Sequence, residues 1–138
     1  MKKIRPLKIL FMLTSLVVAG LFTIAPVAAE DIPGVKKEML VGYLDNAEVY
    51  VLDVRTEKDW KESEFKIKGA IRKEPENFNF WVHQYRGNQA YVLYCADPNE
   101  KTSTVLVKKF RDKGFNLAYV LKGGWSEWLK AKYPVERK

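Results

Sequence analysis

Five consecutive residues, Ala90 to Tyr94, are apolar or aromatic, and the chain's one cysteine, Cys95, follows them directly. A strand without polar alternation has no face to offer solvent, so it belongs in the centre of a sheet covered on both sides. The polar stretch after Cys95 holds Pro98 and Asn99 and opens onto a helical apolar pattern running from Thr102 to Lys113. The thiol is therefore placed where a buried strand ends and a helix begins. Backbone N–H groups at a helix N-terminus, with the positive end of the helix dipole, stabilise a thiolate and any anion brought to it. Cys95 is read as a reactive cysteine; the alternative is a small buried hydrophobe.

The rest of the chain supplies layers for such a sheet. Val35, Met39, Leu40 and Tyr43 are spaced for one face of a helix over 35–44, and Asp45-Asn46 is turn chemistry. Val49 to Leu52 is a short strand that ends in Asp53-Val-Arg55, and Thr56 is placed to cap a short helix carrying Trp60. Phe65 to Ile71 reads as an extended segment with a glycine bend. Pro75 to Tyr85 reads as a helix with Phe78, Trp81, Val82 and Tyr85 on one face, stopped by Gly87-Asn88. The helix from Thr102 turns Val105, Leu106, the Lys109 stem and Phe110 inward and ends at Gly114 in a left-handed cap. Ala118 to Leu121 is a further strand, Gly123-Gly124 a tight turn, and Trp125 to Tyr133 a last helix carrying Trp125, Trp128 and Leu129. Strands alternate with helices throughout. The fold class expected is α/β, a three-layer sandwich with a mainly parallel central sheet of about five strands flanked by helices. Ligands of such sheets bind at the C-terminal ends of the strands, where Cys95 lies.

The N-terminus reads differently. Lys2, Lys3, Arg5 and Lys8 precede an apolar run from Ile9 to Ala25, and Val27 and Ala29 are small residues placed for cleavage before Glu30. That is the three-part pattern of a signal peptide over residues 1–29, with an uncleaved membrane anchor as the alternative. The domain is then 30–138, exported to the periplasm or another extracytoplasmic space. The leader holds four of the chain's 24 basic residues and none of its 17 acidic ones, which leaves the domain at +3. Interspersed charge of that size suits an ordinary surface and excludes a nucleic-acid stripe. In an oxidising compartment a single thiol is reactive, paired between molecules, or buried.

Several short motifs then fall into one order. Asp53-Val-Arg55, Lys68-Gly-Ala-Ile71, the strand leading to Cys95, Lys113-Gly-Phe115, Leu121-Lys-Gly-Gly-Trp125 and Tyr133-Pro-Val135 resemble, together, a single rhodanese-like domain spanning essentially the whole of 30–138. The resemblance implies a sulfurtransferase: a loop cysteine accepts sulfane sulfur as a persulfide and passes it on. The donor would be thiosulfate, a polysulfide or a persulfide, and the acceptor a thiol or cyanide. Carried onto this sequence, Cys95 is the catalytic nucleophile, and Ala96, Asp97, Pro98, Asn99, Glu100, Lys101, Thr102 and Ser103 form the loop and helix start that wrap the substrate. The loop is two residues longer than the family's usual one, Pro98 stands near its glycine, and Lys101-Thr102 stand where its arginine would be. Asp97 and Glu100 are expected to bring negative charge close to the sulfur, opposing thiolate formation and repelling thiosulfate.

The remaining candidates support rather than react. Asp53 and Arg55 form a structural ion pair at a strand end, with Arg55 as an anion binder the lesser reading. Trp125, just after the glycine pair, is the tryptophan expected nearest the cleft, and Thr102 and Ser103 are expected to cap their helix. His83 is read as a surface residue. One cysteine and one histidine make no metal site of ordinary ligand count, so no metal or other cofactor is expected. A monomer is expected, touching a membrane only through an uncleaved leader. Beside the sulfurtransferase stand two alternatives, a non-catalytic carrier or partner-binding module, and a phosphatase or arsenate reductase on the same fold.

Overall fold

The computed structural model describes residues 31–138. The expected leader therefore lies outside the described residues. The elements are β1 (Gly34–Val35), α1 (Lys37–Leu40), β2 (Val49–Asp53), α2 (Glu57–Glu62), β3 (Phe65–Ile67), β4 (Ile71–Arg72), α3 (Phe78–Trp81), β5 (Ala90–Tyr94), α4 (Lys101–Asp112), β6 (Ala118–Leu121), α5 (Gly124–Lys130) and β7 (Val135–Arg137). Five strands form one sheet in the order β1-β6-β5-β2-β4, and every pairing in it is parallel. The continuous apolar strand β5 is its centre, as its composition requires. β3 and β7 pair antiparallel in a separate two-stranded sheet.

Two cores sit on the two faces of the sheet, and β5 alternates between them. Tyr91, Leu93 and Cys95 face α3 and α4, packing with Phe78, Trp81, Leu106, Val107 and Phe110. Val92 and Tyr94 face α1, α5 and the small sheet, packing with Leu40, Ile67, Trp125 and Trp128. On α4 the inward residues Leu106, Val107 and Phe110 recur at helical spacing and are at most 2 % exposed. Each such side chain stabilises the fold by roughly 1.5–3 kcal/mol over its exposed state.

Four expectations need correction. The helix placed at 35–44 begins at Lys37, because Val35 is taken by β1 pairing with β6; Met39 and Tyr43 are exposed. The helix over 75–85 is broken, with 3-10 turns at Pro75–Asn77 and Val82–Gln84 around the single turn of α3, although Phe78, Trp81 and Val82 are buried as expected. Val105 points outward from α4, on the stripe it shares with Lys101, Lys108 and Lys109. The last helix starts at Gly124, ends at Lys130 and leaves Leu129 exposed. The Thr56 cap holds: its hydroxyl accepts from the Asp59 N–H at 3.2 Å.

Candidate active site

Cys95 stands one residue past the end of β5 with its side chain on the α4 face, and the residue is 1 % exposed. The exposed thiol expected of a reactive cysteine is therefore not the resting arrangement. Its backbone is fixed from α5. The Trp125 N–H donates to the Cys95 carbonyl at 3.0 Å. Gly124 comes so close that a Cβ there would lie 2.5 Å from that carbonyl oxygen, and its φ of +50° lies in the left-handed region, so glycine is required twice over.

Among the described residues the sulfur's one polar side-chain neighbour is Ser103, with Sγ and Oγ 3.4 Å apart. Ser103 is fully buried and donates its hydroxyl to the Glu100 carbonyl at 3.1 Å. It does not cap α4; neither does Thr102, since the residue before the helix is Glu100 and no side chain caps it. A serine hydroxyl has one proton and two acceptor lone pairs. While that proton goes to Glu100, Oγ can accept from a Cys95 S–H; turned toward the sulfur, the same proton can stabilise a thiolate or the bridging sulfur of a persulfide. In sequence, Ser103 looked like a cap because it stands where a helix begins. The signal for its real place is helical phase: Ser103, Leu106, Val107 and Phe110 share the inward stripe.

The loop between Cys95 and α4 is organised by Asp97. Its side chain accepts from the Asn99 N–H at 2.7 Å and its carbonyl from the Glu100 N–H at 2.9 Å. Pro98 has no N–H to give. Two loop amides expected to face the sulfur are thus committed within the loop. Glu100 adopts φ +58°, unusual for a residue with a side chain, and its carboxylate reaches away to the Gly123 N–H at 2.6 Å and the Lys122 ammonium at 3.3 Å. The negative charge expected at the sulfur is therefore paired with Lys122, and only Asp97 remains as a loop carboxylate without a cation. Lys101 is exposed at the first position of α4, Thr102 is half-buried, and Ala96 is half-buried beside the cysteine.

Asp53, Arg55 and the Trp125 ring are brought together, but on the other face of the sheet. Asp53 and Arg55 are both fully buried. Arg55 Nε donates to both carboxylate oxygens, at 2.9 and 3.0 Å, and Nη2 to Oδ2 at 2.6 Å. Nη2 also reaches the Phe65 carbonyl at 3.0 Å, and the guanidinium lies 4.5 Å from the Trp125 ring centre and 5.2 Å from that of Trp60. The Tyr94 hydroxyl donates to the same carboxylate. Burial and then the neighbouring Asp53 charge push the Tyr94 phenol well above its ordinary pKa, so it remains a donor. This is the structural pair anticipated in the sequence; it ties the end of β2 to β5, β3 and α5. Among the described residues Arg55 Nη1 is the one buried side-chain nitrogen or oxygen without a hydrogen-bond partner. His83 lies on the surface. No group of three or more histidine, cysteine, aspartate or glutamate side chains among the described residues is arranged to hold a metal.

The arrangement defines a class: a parallel α/β sandwich that presents a single loop cysteine from its central strand to the start of a helix. Residues 37–131 match the Rhodanese-like domain family, and the chain belongs to that family. No curated protein matches the chain. Among solved structures, the rhodanese-like domain of an Anabaena sp. protein is 22 % identical with a TM-score of 0.66, over 77 % of this chain and 80 % of that one. A Rhodopseudomonas palustris protein of unknown function, described as a possible tyrosine phosphatase, is 20 % identical with a TM-score of 0.65, over 76 % of this chain and 85 % of that one. EanB, solved with ergothioneine linked to a cysteine persulfide, is 24 % identical with a TM-score of 0.63, over 78 % of this chain and 28 % of EanB. At these identities the likeness is one of fold.

Proposed function

We propose that the domain is an exported sulfurtransferase that carries sulfane sulfur on Cys95. The observation that carries this reading is the contact of Cys95 Sγ with the Ser103 hydroxyl at the start of α4, in a loop whose Glu100 carboxylate is held away by Lys122 and Gly123. With thiosulfate, the Cys95 thiolate attacks the outer sulfur. A new S–S bond forms to Sγ, the old one breaks, and sulfite leaves with its electron pair. An acceptor thiolate then attacks the terminal sulfur of the persulfide and releases the Cys95 thiolate, so no external oxidant or reductant is consumed. No separate general base is needed, because a thiolate is already a strong nucleophile. Since the sulfur is covered at rest, the donor is admitted by movement of the loop over 96–100. The leader over 1–29 would deliver the domain outside the cytoplasm.

A second reading has its own observation. The closed thiol and the loop amides turned onto Asp97 suit a non-catalytic rhodanese-like module that binds a partner without turning sulfur over. The phosphatase reading is weaker, because the loop and helix start from Ala96 to Ser103 contain no arginine to grip a tetrahedral oxyanion in two places.

Intact mass of the exported chain, before and after thiosulfate or polysulfide, separates these readings. The expected result is a chain starting at Glu30 that gains one sulfur, about 32 Da, removable by cyanide and absent from Cys95→Ala. No gain from either donor in a folded protein would overturn sulfur transfer and leave the binding module. A mass that includes residues 1–29 would overturn cleavage.

A further inference from the structure

A groove runs along the outer side of α4, on the same face of the sheet as Cys95. At the end nearest the cysteine loop, Pro75, Lys101, Thr102, Val105 and Lys109 line a hollow of about 270 Å³. Lys109 is shared with a second hollow of about 360 Å³, which continues past Asn79 to Lys113. Lys113 in turn opens a third, of about 370 Å³, beside His83. The three follow one another along a helix roughly 18 Å long, which is too long for a single small anion.

Two properties of this groove call for a partner. The first is charge. Lys101, Lys109 and Lys113 line the three hollows against one carboxylate, Asp112. Among the described residues none of these three cations forms an ion pair, whereas lysines on other elements do, as Lys61 with Glu57, Lys66 with Glu136 and Lys122 with Glu100. The second is apolar exposure: in the groove wall Val105 is 54 % exposed, beside half-buried Pro75. A cationic rim around exposed apolar side chains is complementary to an acidic surface with apolar anchors. The groove is concave, which fits a protruding chain segment better than the flat plane of lipid headgroups. It ends at Thr102, next to the serine that touches the Cys95 sulfur.

We propose that the groove docks an acidic segment of a thiol-bearing protein and thereby brings that protein's cysteine to the Cys95 loop. The proposal rests on the sulfur-transfer reading for its purpose, and its test does not depend on sulfur transfer. Two synthetic peptides, each with one cysteine and two leucines, one with a glutamate run and one with lysines in its place, are titrated by fluorescence anisotropy into the Cys95→Ala protein. The acidic peptide is expected to bind at least about tenfold more tightly. Its affinity should weaken with rising salt, fall on the order of tenfold in Lys109→Glu/Lys113→Glu, and fall several-fold in Val105→Ser, with circular dichroism confirming that both variants fold. Equal binding of the two peptides, or acidic binding unchanged by the charge reversal, would overturn the proposal. Binding to phosphatidylglycerol vesicles with no binding of the acidic peptide would overturn it in favour of a membrane surface. Because Cys95 is absent from these measurements, failure of docking is read here and failure of persulfide formation in the mass experiment.

Discussion

β2 and β5 are neighbours in perfect register, Asp53 opposite Tyr94, yet their ends are built in opposite ways on opposite faces of the sheet. On the α5 face a buried carboxylate is gripped by three guanidinium contacts and a phenol. On the α4 face Cys95 has one polar side-chain contact, 3.4 Å long, and a loop whose bonds are mostly internal. Desolvating two charges costs several kcal/mol each, and only close, multiple bonding offsets that. Such a knot has one geometry. The cysteine loop has lost no comparable solvation and has little to lose by opening. A heavily tied strand end thus sits beside a sparsely tied chemical one, and Gly124 with Trp125 joins them: the Trp125 ring belongs to the knot and its N–H holds the Cys95 carbonyl.

The largest test of this contrast is Arg55→Met. It leaves Asp53 buried without its cation, and the expected loss of stability in urea unfolding is about 3–5 kcal/mol. A loss below roughly 1 kcal/mol would mean that the knot is not what fixes β2. Gly124→Ala attacks the junction, forcing both the left-handed backbone and the Cys95 carbonyl to shift; about 1–3 kcal/mol should be lost, together with a changed rate of Cys95 modification by a thiol reagent. Loss of stability with an unchanged thiol rate would separate α5 from the site. The smallest effect belongs to Glu100→Ala, which removes the brace to Lys122 and Gly123. It should cost about 1 kcal/mol and speed thiol modification, since the loop loses its tie to β6 and α5. Slower modification would show that the brace opens the site instead of closing it.

The extent to which these features were readable follows from how local their causes are. β5 was legible because five apolar residues in a row admit one environment, and the Thr56 cap because its partner is three residues away. β1 was not: two residues make no periodicity, and Val35 happens to fall in phase with Met39. The break in the segment at 75–84 was hidden because Phe78, Trp81 and Val82 keep one face even through 3-10 turns. At the site, the place of Cys95 between a central strand and a helix was legible from strand and helix order. The Glu100 brace was out of reach, since its partners Lys122 and Gly123 arrive only through the β6 connection. Its charge therefore looked free to approach the sulfur. The Asp53–Arg55 pair was legible at its strand end, but Trp125, expected nearest the cleft, has its ring against Arg55 on the other face, and which face a strand end serves depends on strand parity, a one-residue matter.

The small β3–β7 sheet has a consequence for how the molecule comes into being. It joins Phe65 to Arg137, and β1 joins Gly34 to Val120, so both pairings wait for residues far along the chain. Closing such distant pairs is late and slow relative to local helices. The stretch through Arg137 must have left the ribosome before both sheets can be completed. For a protein that crosses a membrane unfolded, as the proposed export requires, that delay is an interval in which the leader can be engaged while the chain is still threadable.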